Sequence, residues 1–337
     1  MAKHQNLFAV CPTWAQPLVA QELTESGFRS IKVGRGGVYF KGHMGRANRV
    51  LACASRVLWI QGTFKAHNFE ELEHGLAQLE LGDYAGFEVH VSCSHSALYH
   101  SEAVAERVRK LYPVGSVGLY IRIHKDTASV SLDTSGERLN RRGWRLENGL
   151  APIRETVAHC LLRAARWSTD EAICDPMCGS GTFLIEAAIR AQGLAPGRLR
   201  AFACDAWSTP GRGVDPVESQ IEILGSDRDS RMIAAAKRNA KRAGVSVSFL
   251  EKDAMALVAP SASGLVIANP PYGLRLKKGQ AYETLGKLLH NGFEGWRAAI
   301  ICPNEASIKS IGRKPVERFR FSMGGVPLIL AMFDRKG

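Results

Sequence analysis

Alternating apolar and polar residues set the pattern of the first 150 residues or so. Alternation of period two is typical of half-buried strands. The predicted strands cover residues 37–41, 89–92, 119–123 and 127–132. Helical stretches fill the intervals, and the predicted helices cover residues 14–26, 44–54, 69–79 and 101–111. Strands and helices mixed in such short units predict an α+β fold for this half of the chain.

Strands and helices alternate at a longer spacing in the second half. The predicted helices cover residues 155–167, 182–192 and 230–243. The predicted strands cover residues 172–174, 221–225, 245–250, 265–268, 298–302, 318–323 and 327–333. This alternation predicts an α/β domain with a parallel, doubly wound sheet. Residues 193–220 contain several Gly and Pro and are predicted to form a surface excursion.

The composition is that of a soluble globular protein with two or three domains. The chain has 337 residues, of which 45% are hydrophobic and 23% are charged. We find neither the apolar core of a signal peptide nor the run of about 18 apolar residues that a membrane helix needs. We therefore expect a cytoplasmic protein with no membrane contact.

The net charge and the spacing of cysteines and histidines indicate which kinds of partner and metal site to expect. The net charge of +12 at pH 7 is consistent with a polyanionic partner. The eight cysteines are scattered without C-x-x-C pairs, and the ten histidines form no close pair at ligand spacing. We therefore expect reduced cysteines and no metal site.

The predicted strand 265–268 ends abruptly at two prolines, Pro270 and Pro271. Neither proline has an N–H group, and each fixes its own φ, so the strand is predicted to end in a rigid loop. That loop presents the Asn269 amide, backbone carbonyls and the Tyr272 ring at the carboxyl edge of the sheet, where ligands bind in open α/β sheets. An amide oxygen and a carbonyl accept hydrogen bonds from a planar NH2 group, and an aromatic face stacks on a base. The alternative is a strand end followed by a plain turn.

Small residues and acids follow the preceding strands in order. Residues 175–182 contain Gly-Ser-Gly, which allows the backbone to approach a ligand closely at a helix start. The segment matches neither the P-loop nor G-x-G-x-x-G, so a nucleoside triphosphate and a dinucleotide are disfavoured. Asp227 lies at the next strand end, where an acid suits ribose hydroxyls, and Asp253 could accept from an adenine amine. The alternative for each acid is a helix N-cap.

Four arginines and a tryptophan lie close together near residue 140. Such a cluster can bind phosphates while the aromatic ring stacks on a base. The predicted RNA-binding residues are Arg138, Arg141, Arg142, Trp144 and Arg145. The alternative is a solvated linker between two domains.

Taken together, these motifs resemble those of a known enzyme family. Residues 151–337 are similar to class I S-adenosylmethionine-dependent methyltransferases, with residues 175–182 as the first motif and 269–272 as the catalytic motif. The runs 132–136 and 150–156 resemble the bacterial THUMP-containing RNA guanine-N2 methyltransferases of the large-subunit rRNA type. The resemblance implies a ferredoxin-like segment at 1–55, a THUMP RNA-binding domain at 56–145, and a Rossmann-like methyltransferase domain at 146–337. The sheet of the last domain is expected to be seven-stranded and mostly parallel.

The resemblance also implies roles for individual residues. The residues expected to bind S-adenosylmethionine are Asp175, Cys178, Gly179, Ser180, Gly181, Thr182, Asp227, Arg228, Asp253, Ala254 and Asn269. The residues expected at the methyl transfer step are Asn269, Pro270, Pro271 and Tyr272. The implied acceptor is the exocyclic N2 amine of a guanine in 23S rRNA, and we expect a monomer.

Several alternatives to that acceptor stay open at this stage. A guanine in the tRNA acceptor stem, adenine N6 in RNA or DNA, and glutamine amides in proteins are all methylated by enzymes with the same four-residue motif or by the same group. The basic residues of the N-terminal half favour RNA over a protein. The non-enzyme alternative is an RNA-binding assembly factor with a relict cofactor fold. The residues that argue against it are Gly179, Gly181, Asp227, Asp253 and Asn269, all of which are intact.

Overall fold

The chain divides into two compact units. In the computed structural model, residues 4–82, 84, 86–147, 153–207, 217, 219–271 and 279–335 are described. The first unit comprises Met1–Leu139 and Ala201–Arg212, and the second comprises Asn140–Arg200 and Gly213–Gly337. Within the described part of the chain, no helix has the length and apolar character needed to cross a bilayer.

The first unit is built on a seven-stranded sheet with helices. The strands are β1 (Gln5–Val10), β2 (Arg29–Gly34), β3 (Gly37–Gly42), β4 (Arg56–Lys65), β5 (Phe87–Ser94), β6 (Val117–His124) and β7 (Thr127–Asp133). The helices are α1 (Gln16–Glu25), α2 (Met44–Val50), α3 (Phe69–Ala77) and α4 (Ser101–Leu111), with a short 3-10 turn at Thr13–Ala15. The strand order is β2-β3-β1-β4-β7-β6-β5, and every neighbouring pair is antiparallel except β5 and β6.

The first six elements form a ferredoxin-like unit. They follow the order β1-α1-β2-β3-α2-β4, and their strands lie in the order β4-β1-β3-β2. The far side of β4 pairs with β7, so one strand joins this unit to the rest of the sheet. The ferredoxin-like segment expected at 1–55 therefore stops just before β4, which is the fourth strand of the ferredoxin-like unit.

The second part of the first unit has its own apolar core. Leu119, Ile121 and Ile123 alternate along β6 and pack with residues of α3 and α4. Trp207 packs against this core and contacts the Tyr84 ring, with 5.0 Å between ring centroids. The predicted surface excursion at 193–220 is thus only partly correct, because residues 201–207 fold back onto the first unit.

The second unit is the predicted doubly wound α/β domain. Its strands are β8 (Ile173–Asp175), β9 (Ile223–Asp227), β10 (Ser248–Glu251), β11 (Leu265–Ala268), β12 (Arg297–Cys302), β13 (Glu317–Met323) and β14 (Val326–Phe333). Its helices are α5 (Glu155–Ala164), α6 (Thr182–Ala191), α7 (Ser230–Ala243), α8 (Gln280–His290) and α9 (Glu305–Ser310), with a 3-10 turn at Ala254–Ala256. A further 3-10 turn, Ala203–Ala206, belongs to the segment 201–212 of the first unit. All four residues of β11 are buried, as expected for a central strand covered by helices on both faces.

The strand order of the second sheet fixes the position of the ligand site. The order is β10-β9-β8-β11-β12-β14-β13, and β10 through β12 are parallel while β14 runs antiparallel to its neighbours. The chain passes from β8 to β9 on one side and later places β11 on the other side. The carboxyl ends of β8 and β11 therefore flank the switch point where open α/β sheets bind ligands. The predicted fold class, a mostly parallel seven-stranded sheet after an α+β module, is confirmed.

Helix α7 shows how closely local signals can determine an element. The Asp229 side chain caps its N-terminus by accepting from the Arg231 N–H at 2.9 Å. Gly244 ends it in the left-handed conformation, with φ of 63°. The prediction of 230–243 matches the observed helix. The sequence pattern does not predict helices α8 and α9 or strands β1, β2 and β4.

Candidate active site

A cavity of about 600 Å³ opens at the carboxyl ends of the central strands of the second unit. Its walls come from the loop after β8, the ends of β9, β10 and β11, and the first turn of α8. The predicted site residues that line it are Asp175, Cys178, Gly179, Ser180, Thr182, Asp227, Arg228, Asp253, Ala254, Asn269, Pro270 and Pro271. The structure thus brings almost all of the expected donor-binding residues to one place.

The glycine-rich turn after β8 forms the floor of this cavity. Gly179 and Gly181 both have positive φ, at 52° and 83°, a region that residues with a Cβ atom rarely adopt. The turn is fixed to β9 by a hydrogen bond from the Cys178 N–H to the Ser226 carbonyl at 2.9 Å. A Cβ atom on Gly179 would meet no atom within 4 Å, whereas one on Gly181 would lie 2.8 Å from the Phe249 ring. Gly179 therefore borders open space, while Gly181 permits close packing and does not line the cavity.

Asp227 connects the end of β9 to the glycine-rich turn. Its Oδ2 accepts from the Gly179 N–H and its Oδ1 accepts from the Asp229 N–H, both at 3.0 Å. Each oxygen keeps further lone-pair capacity, because a carboxylate oxygen can accept more than one hydrogen bond. The carboxylate is half-buried at the cavity wall, so it can receive a ribose hydroxyl. Asp227 is not the N-cap of the following helix α7, because Asp229 has that role.

Asp253 has both of the roles considered for it in the sequence. Its Oδ1 accepts from the Met255 N–H at 2.9 Å and caps the 3-10 turn Ala254–Ala256. The side chain is exposed and lines the cavity, and its second oxygen remains available for an amine. Capping holds the carboxylate in place at the cavity edge.

Asp175 is a buried carboxyl at the base of the site. Burial raises its pKa to about 8, the nearby Asp227 adds to that rise, and a hydrogen bond from the Met177 N–H opposes it. Burial also raises the pKa of the neighbouring Cys178 thiol well above its usual value. Asp175 is therefore largely protonated at neutral pH, and Cys178 is a neutral apolar wall rather than a nucleophile.

Asn269 presents an unsatisfied acceptor at the end of β11. Its Oδ1 is shielded from solvent and has no hydrogen-bond partner among the described residues. An amide oxygen buried without a donor costs free energy, and such atoms commonly await a ligand. Pro270 and Pro271 continue the wall beside it, and Tyr272 lies outside the described residues.

The cluster of arginines near residue 140 is where structure and sequence prediction disagree. Trp144 is fully buried, and Arg142 is buried against Glu186, with Nε–Oε1 and Nη2–Oε2 distances of 3.3 and 3.4 Å. Burial alone would raise the pKa of Glu186, but Arg142 and His159 outweigh it and lower that pKa. A buried ring has no free face for a base, so the expected RNA contacts of Trp144 and Arg142 are wrong.

Arg145 is also withdrawn from solvent. Its Nε lies 3.1 Å from Glu155 Oε1, and its side chain is only 11% exposed. This removes Arg145 from the set of surface arginines that could grip an RNA backbone. Arg138 and Arg141 are exposed and remain candidates for that role.

Sequence reasoning missed several residues that line the cavity. They include Ile153, Arg231, Gln280 and Thr284. Gln280 and Thr284 are one turn apart on α8, so they face the same way, but that helix was not predicted. The apolar residues at 281, 282, 285, 288 and 289 carried the helical period that would have revealed it.

The cavity fits the donor expected from the sequence. It offers a carboxylate beside a backbone turn for a ribose, a second carboxylate for an adenine amine, and a glycine without a Cβ atom where a ligand can approach the backbone. The buried Asn269 Oδ1, for which the described part of the chain offers no partner, lies at the same cavity, where the amine of an acceptor would enter.

Two family models match this chain. Residues 142–330 match the RMKL-like methyltransferase domain, which is more than half of the chain. Residues 6–58 match the RlmL ferredoxin-like domain. The second match covers β1 through the start of β4, in line with the ferredoxin-like order of those strands.

Relatives cover nearly the whole chain. A Synechocystis sp. protein provisionally named an RNA methyltransferase is 31% identical, over 97% of this chain and 96% of its own length. The ribosomal RNA large subunit methyltransferase K/L of Syntrophotalea carbinolica is also 31% identical, over 98% of this chain. The chain spans only 53% of that K/L protein's length.

Solved structures share the fold of the whole chain. SMU.472, described provisionally as a methyltransferase and complexed with SAH, has a TM-score of 0.87 and 28% identity, with 100% of both chains covered. A Listeria monocytogenes protein described as a predicted N6-adenine-specific DNA methylase has a TM-score of 0.86 and 30% identity, with 99% of this chain and 97% of that chain covered.

The predicted enzyme class is confirmed by these matches together with the site. The methyltransferase domain contains the cavity, the glycine-rich turn and Asn269. Its chemistry takes the methyl group from S-adenosylmethionine, as expected from the first motif. This chain belongs to the RMKL-like methyltransferase family.

Proposed function

We propose that this protein transfers a methyl group from S-adenosylmethionine to the exocyclic N2 amine of a guanine in 23S rRNA. The observation that carries the proposal is the buried Oδ1 of Asn269, which has no partner among the described residues and lies next to Pro270 at the wall of the donor cavity. Two acceptors at adjacent positions suit a planar NH2 group, which has two N–H bonds to donate. The ribosomal RNA assignment is supported by the name of the K/L relatives.

The donor pocket is proposed to work by positioning. Asp227 would hold the ribose hydroxyls, Asp253 the adenine amine, and the turn at Gly179 the rest of the donor. Cys178, Ser180, Thr182, Arg228 and Ala254 would complete its walls. S-adenosylmethionine supplies a methyl group that is already activated by its sulfonium. Holding both reactants in line can therefore supply much of the acceleration, and no metal ion is needed.

Asn269 and Pro270 would make guanine N2 a better nucleophile. The lone pair of that amine is delocalised into the ring, so the free amine reacts poorly. Hydrogen bonds from its two N–H groups to Asn269 Oδ1 and the Pro270 carbonyl would favour a pyramidal nitrogen and localise the lone pair. Tyr272, by resemblance to the family motif, would stack on a guanine that has left its helix.

The first unit and the exposed arginines are proposed to hold the RNA. We assign residues 56–145 to a THUMP domain, and Arg138 and Arg141 to contacts with phosphates. The net charge of +12 supports a polyanionic substrate. We propose that the catalytic unit is a monomer. Modification of ribosomal RNA would place the protein in the cytoplasm.

Adenine N6 is the second candidate acceptor. An adenine amine can donate to the same two acceptors, and the Listeria protein of similar structure is described as an adenine-specific DNA methylase. The names of the curated relatives favour RNA and the ribosome. A guanine in the tRNA acceptor stem would use the same chemistry as the proposed substrate.

Nucleoside mapping in cells tests the proposal. Mass spectrometry of nuclease fragments of rRNA and tRNA would be compared between cells with and without this protein. The proposal predicts the loss of one N2-methylguanosine from 23S rRNA and its return when the wild-type gene is restored. The loss of N6-methyladenosine, or of a modification in tRNA alone, would contradict it.

A further inference from the structure

Arg145 belongs to the segment that begins the second unit, and its side chain reaches the wall of the donor cavity. Its Nη1 donates to the Ile153 carbonyl at 2.5 Å and contacts the Thr182 hydroxyl at 3.4 Å. Its Nε lies 3.1 Å from Glu155 Oε1. Ile153 and Thr182 both line the cavity, although Arg145 itself does not. One guanidinium therefore contacts two separate parts of the cavity wall.

The two wall residues belong to different elements. Ile153 precedes α5, and Thr182 is the first residue of α6, which follows the glycine-rich turn. Nothing in the backbone hydrogen bonds of the described residues joins Ile153 to Thr182 directly. The side chain of Arg145 provides a link between them.

Neighbouring contacts hold Arg145 at this position. Trp144 is fully buried, and its carbonyl accepts from Arg242 Nε of α7 at 3.0 Å. Glu147 forms ion pairs with Arg238 and Arg242 of the same helix. The Glu147 carbonyl also accepts from Asn239 Nδ2 of α7 at 3.1 Å, so the backbone on both sides of Arg145 is held against this helix.

The burial of Glu155 makes the loss of its contact with Arg145 costly. Glu155 is buried, and its Oε1 faces Arg145 while its Oε2 has no hydrogen-bond partner among the described residues. The ion pair replaces water around both groups, so the loss of either leaves a buried charge without its partner. A guanidinium reaches two directions at once with a rigid fork, which a lysine ammonium cannot do.

We propose that Arg145 is a positioning residue for the donor site, which holds the Ile153 wall and the start of α6 at the spacing that S-adenosylmethionine requires. This inference rests on the proposed donor pocket but not on the identity of the methyl acceptor. Arg145 acts through Ile153 and Thr182 and touches neither reactant. Glu155 supports it by fixing the orientation of the guanidinium.

The test compares Arg145→Lys and Glu155→Gln with a matched control, Arg297→Lys. Arg297 also binds a carboxylate and backbone carbonyls, with Nε–Glu171 Oε1 at 2.7 Å and Nη1 donating to the Ala165 carbonyl. Arg297 is the first residue of β12 and therefore lies at the amino ends of the parallel strands, whereas the cavity lies at their carboxyl ends. Calorimetric titration with S-adenosylhomocysteine measures donor-site affinity without any RNA, and chemical denaturation measures stability.

The expected result separates an effect on donor-site affinity from an effect on stability. All three variants lose stability, whereas Arg145→Lys and Glu155→Gln also bind S-adenosylhomocysteine at least about tenfold more weakly, an effect of the size of one charged hydrogen bond. In methyl transfer assays these two variants should show a raised KM for S-adenosylmethionine and a nearly unchanged kcat. Arg297→Lys should keep the wild-type affinity and KM.

Two outcomes would overturn the inference. One is wild-type affinity in folded Arg145→Lys and Glu155→Gln, which would make the pair purely structural. The other is an equal loss of affinity in Arg297→Lys, which would attribute the effect to general destabilisation. Failure of the wild-type protein itself to bind S-adenosylhomocysteine would instead reject the proposed donor site.

Discussion

At the scale of single residues, Asn269 and Asp175 are unusual because both are polar groups kept from water at the cavity. Asn269 Oδ1 lacks a partner among the described residues, and Asp175 keeps its proton because burial raises its pKa to about 8. Neither state stabilises the fold, since a buried unpaired acceptor and a buried carboxyl both cost free energy. Such residues are typical of sites where a ligand supplies the missing partner.

The Asn269→Ala substitution should separate catalysis from donor binding. We expect kcat to fall at least about 100-fold, as when a single hydrogen-bonding group at a reacting centre is removed. Affinity for S-adenosylhomocysteine should stay within a few-fold of wild type, because the ribose and adenine contacts remain. Steady-state kinetics and calorimetry measure the two effects.

Asn304→Ala is the matched control for that substitution. Asn304 caps α9 by accepting from the Ser307 N–H at 2.9 Å and does not line the cavity. Its loss should lower the free energy of unfolding by about 1 kcal/mol and leave methyl transfer unchanged. Retained turnover in Asn269→Ala would remove Asn269 from the catalytic step.

Asp175 should make stability fall as the pH rises. The folded state keeps this proton up to a pH near 8, whereas an ordinary aspartate loses it near 3.8. Between these values the folded state binds more protons than the unfolded state, so the free energy of unfolding decreases with increasing pH, by up to about 1.4 kcal/mol per pH unit. Asp175→Asn should remove this contribution. Denaturation curves of the ligand-free protein at pH 5 and pH 8 test it, and equal pH slopes in both proteins would contradict the account.

At the scale of elements, the two glycines of the turn after β8 have different structural roles. Gly179 borders the cavity, and Gly181 packs beneath the Phe249 ring. Both have positive φ, so both resist substitution for conformational reasons. Their surroundings differ, and this makes them a matched pair.

The Gly179→Ala and Gly181→Ala variants should therefore fail in different ways. Each carries the strain of a left-handed residue, roughly 1–2 kcal/mol. Gly181→Ala should lose more stability than that, because its methyl group would lie 2.8 Å from Phe249 Cζ and 3.1 Å from Ala236 Cβ. Gly179→Ala should lose mainly affinity for S-adenosylhomocysteine. Denaturation and calorimetry on both variants decide the matter, and the reverse order of effects would place the donor elsewhere.

Elements with complete local signals could be predicted from the sequence. Helix α7 has an Asp cap, a Gly at its end and cations in its last turn, and its predicted bounds match the structure. The strand ends at Asp175, Asp227 and Asn269 are predictable because a polar residue follows each short predicted strand. The order of these signals sufficed to predict the sheet and most of the cavity.

The fate of the arginines near residue 140 could not be predicted in this way. Arg138 and Arg141 are exposed, whereas Arg142 and Arg145 are not, yet all four look alike in a polar stretch. The partner of the buried Arg142 is Glu186, which lies 44 residues later within a largely apolar helix. A single acid among apolar residues at 183–191 was the available signal. Only the folded chain shows which arginine it pairs with.

At the scale of the whole molecule, the net positive charge of the chain suits an RNA substrate. The net charge of +12 raises affinity for any polyanion, and exposed arginines convert it into contacts with phosphates. Because Arg142 is buried and Arg145 is paired with Glu155, the phosphate contacts that we propose near residue 140 fall to Arg138 and Arg141.

Replacing both Arg138 and Arg141 with Gln should weaken RNA binding without affecting the donor site. We expect the salt dependence of log K to become shallower by roughly one to two units, one phosphate contact for each arginine lost. Filter binding of an rRNA fragment at several salt concentrations measures this slope. Replacing Arg107 and Arg109 of α4 removes the same charge elsewhere and should leave the slope less changed. Equal slopes for the Arg138/Arg141 variant and wild type would exclude these two residues from the RNA interface.

The most direct test is methyl transfer by the purified protein. Unmodified 23S rRNA and tRNA transcripts would be incubated with methyl-labelled S-adenosylmethionine and digested to nucleosides for mass spectrometry, with Asn269→Ala as the control. The account predicts labelled N2-methylguanosine from 23S rRNA with the wild-type protein and almost none with the variant. Label in N6-methyladenosine, label in tRNA but not in rRNA, or no label in either RNA would contradict it.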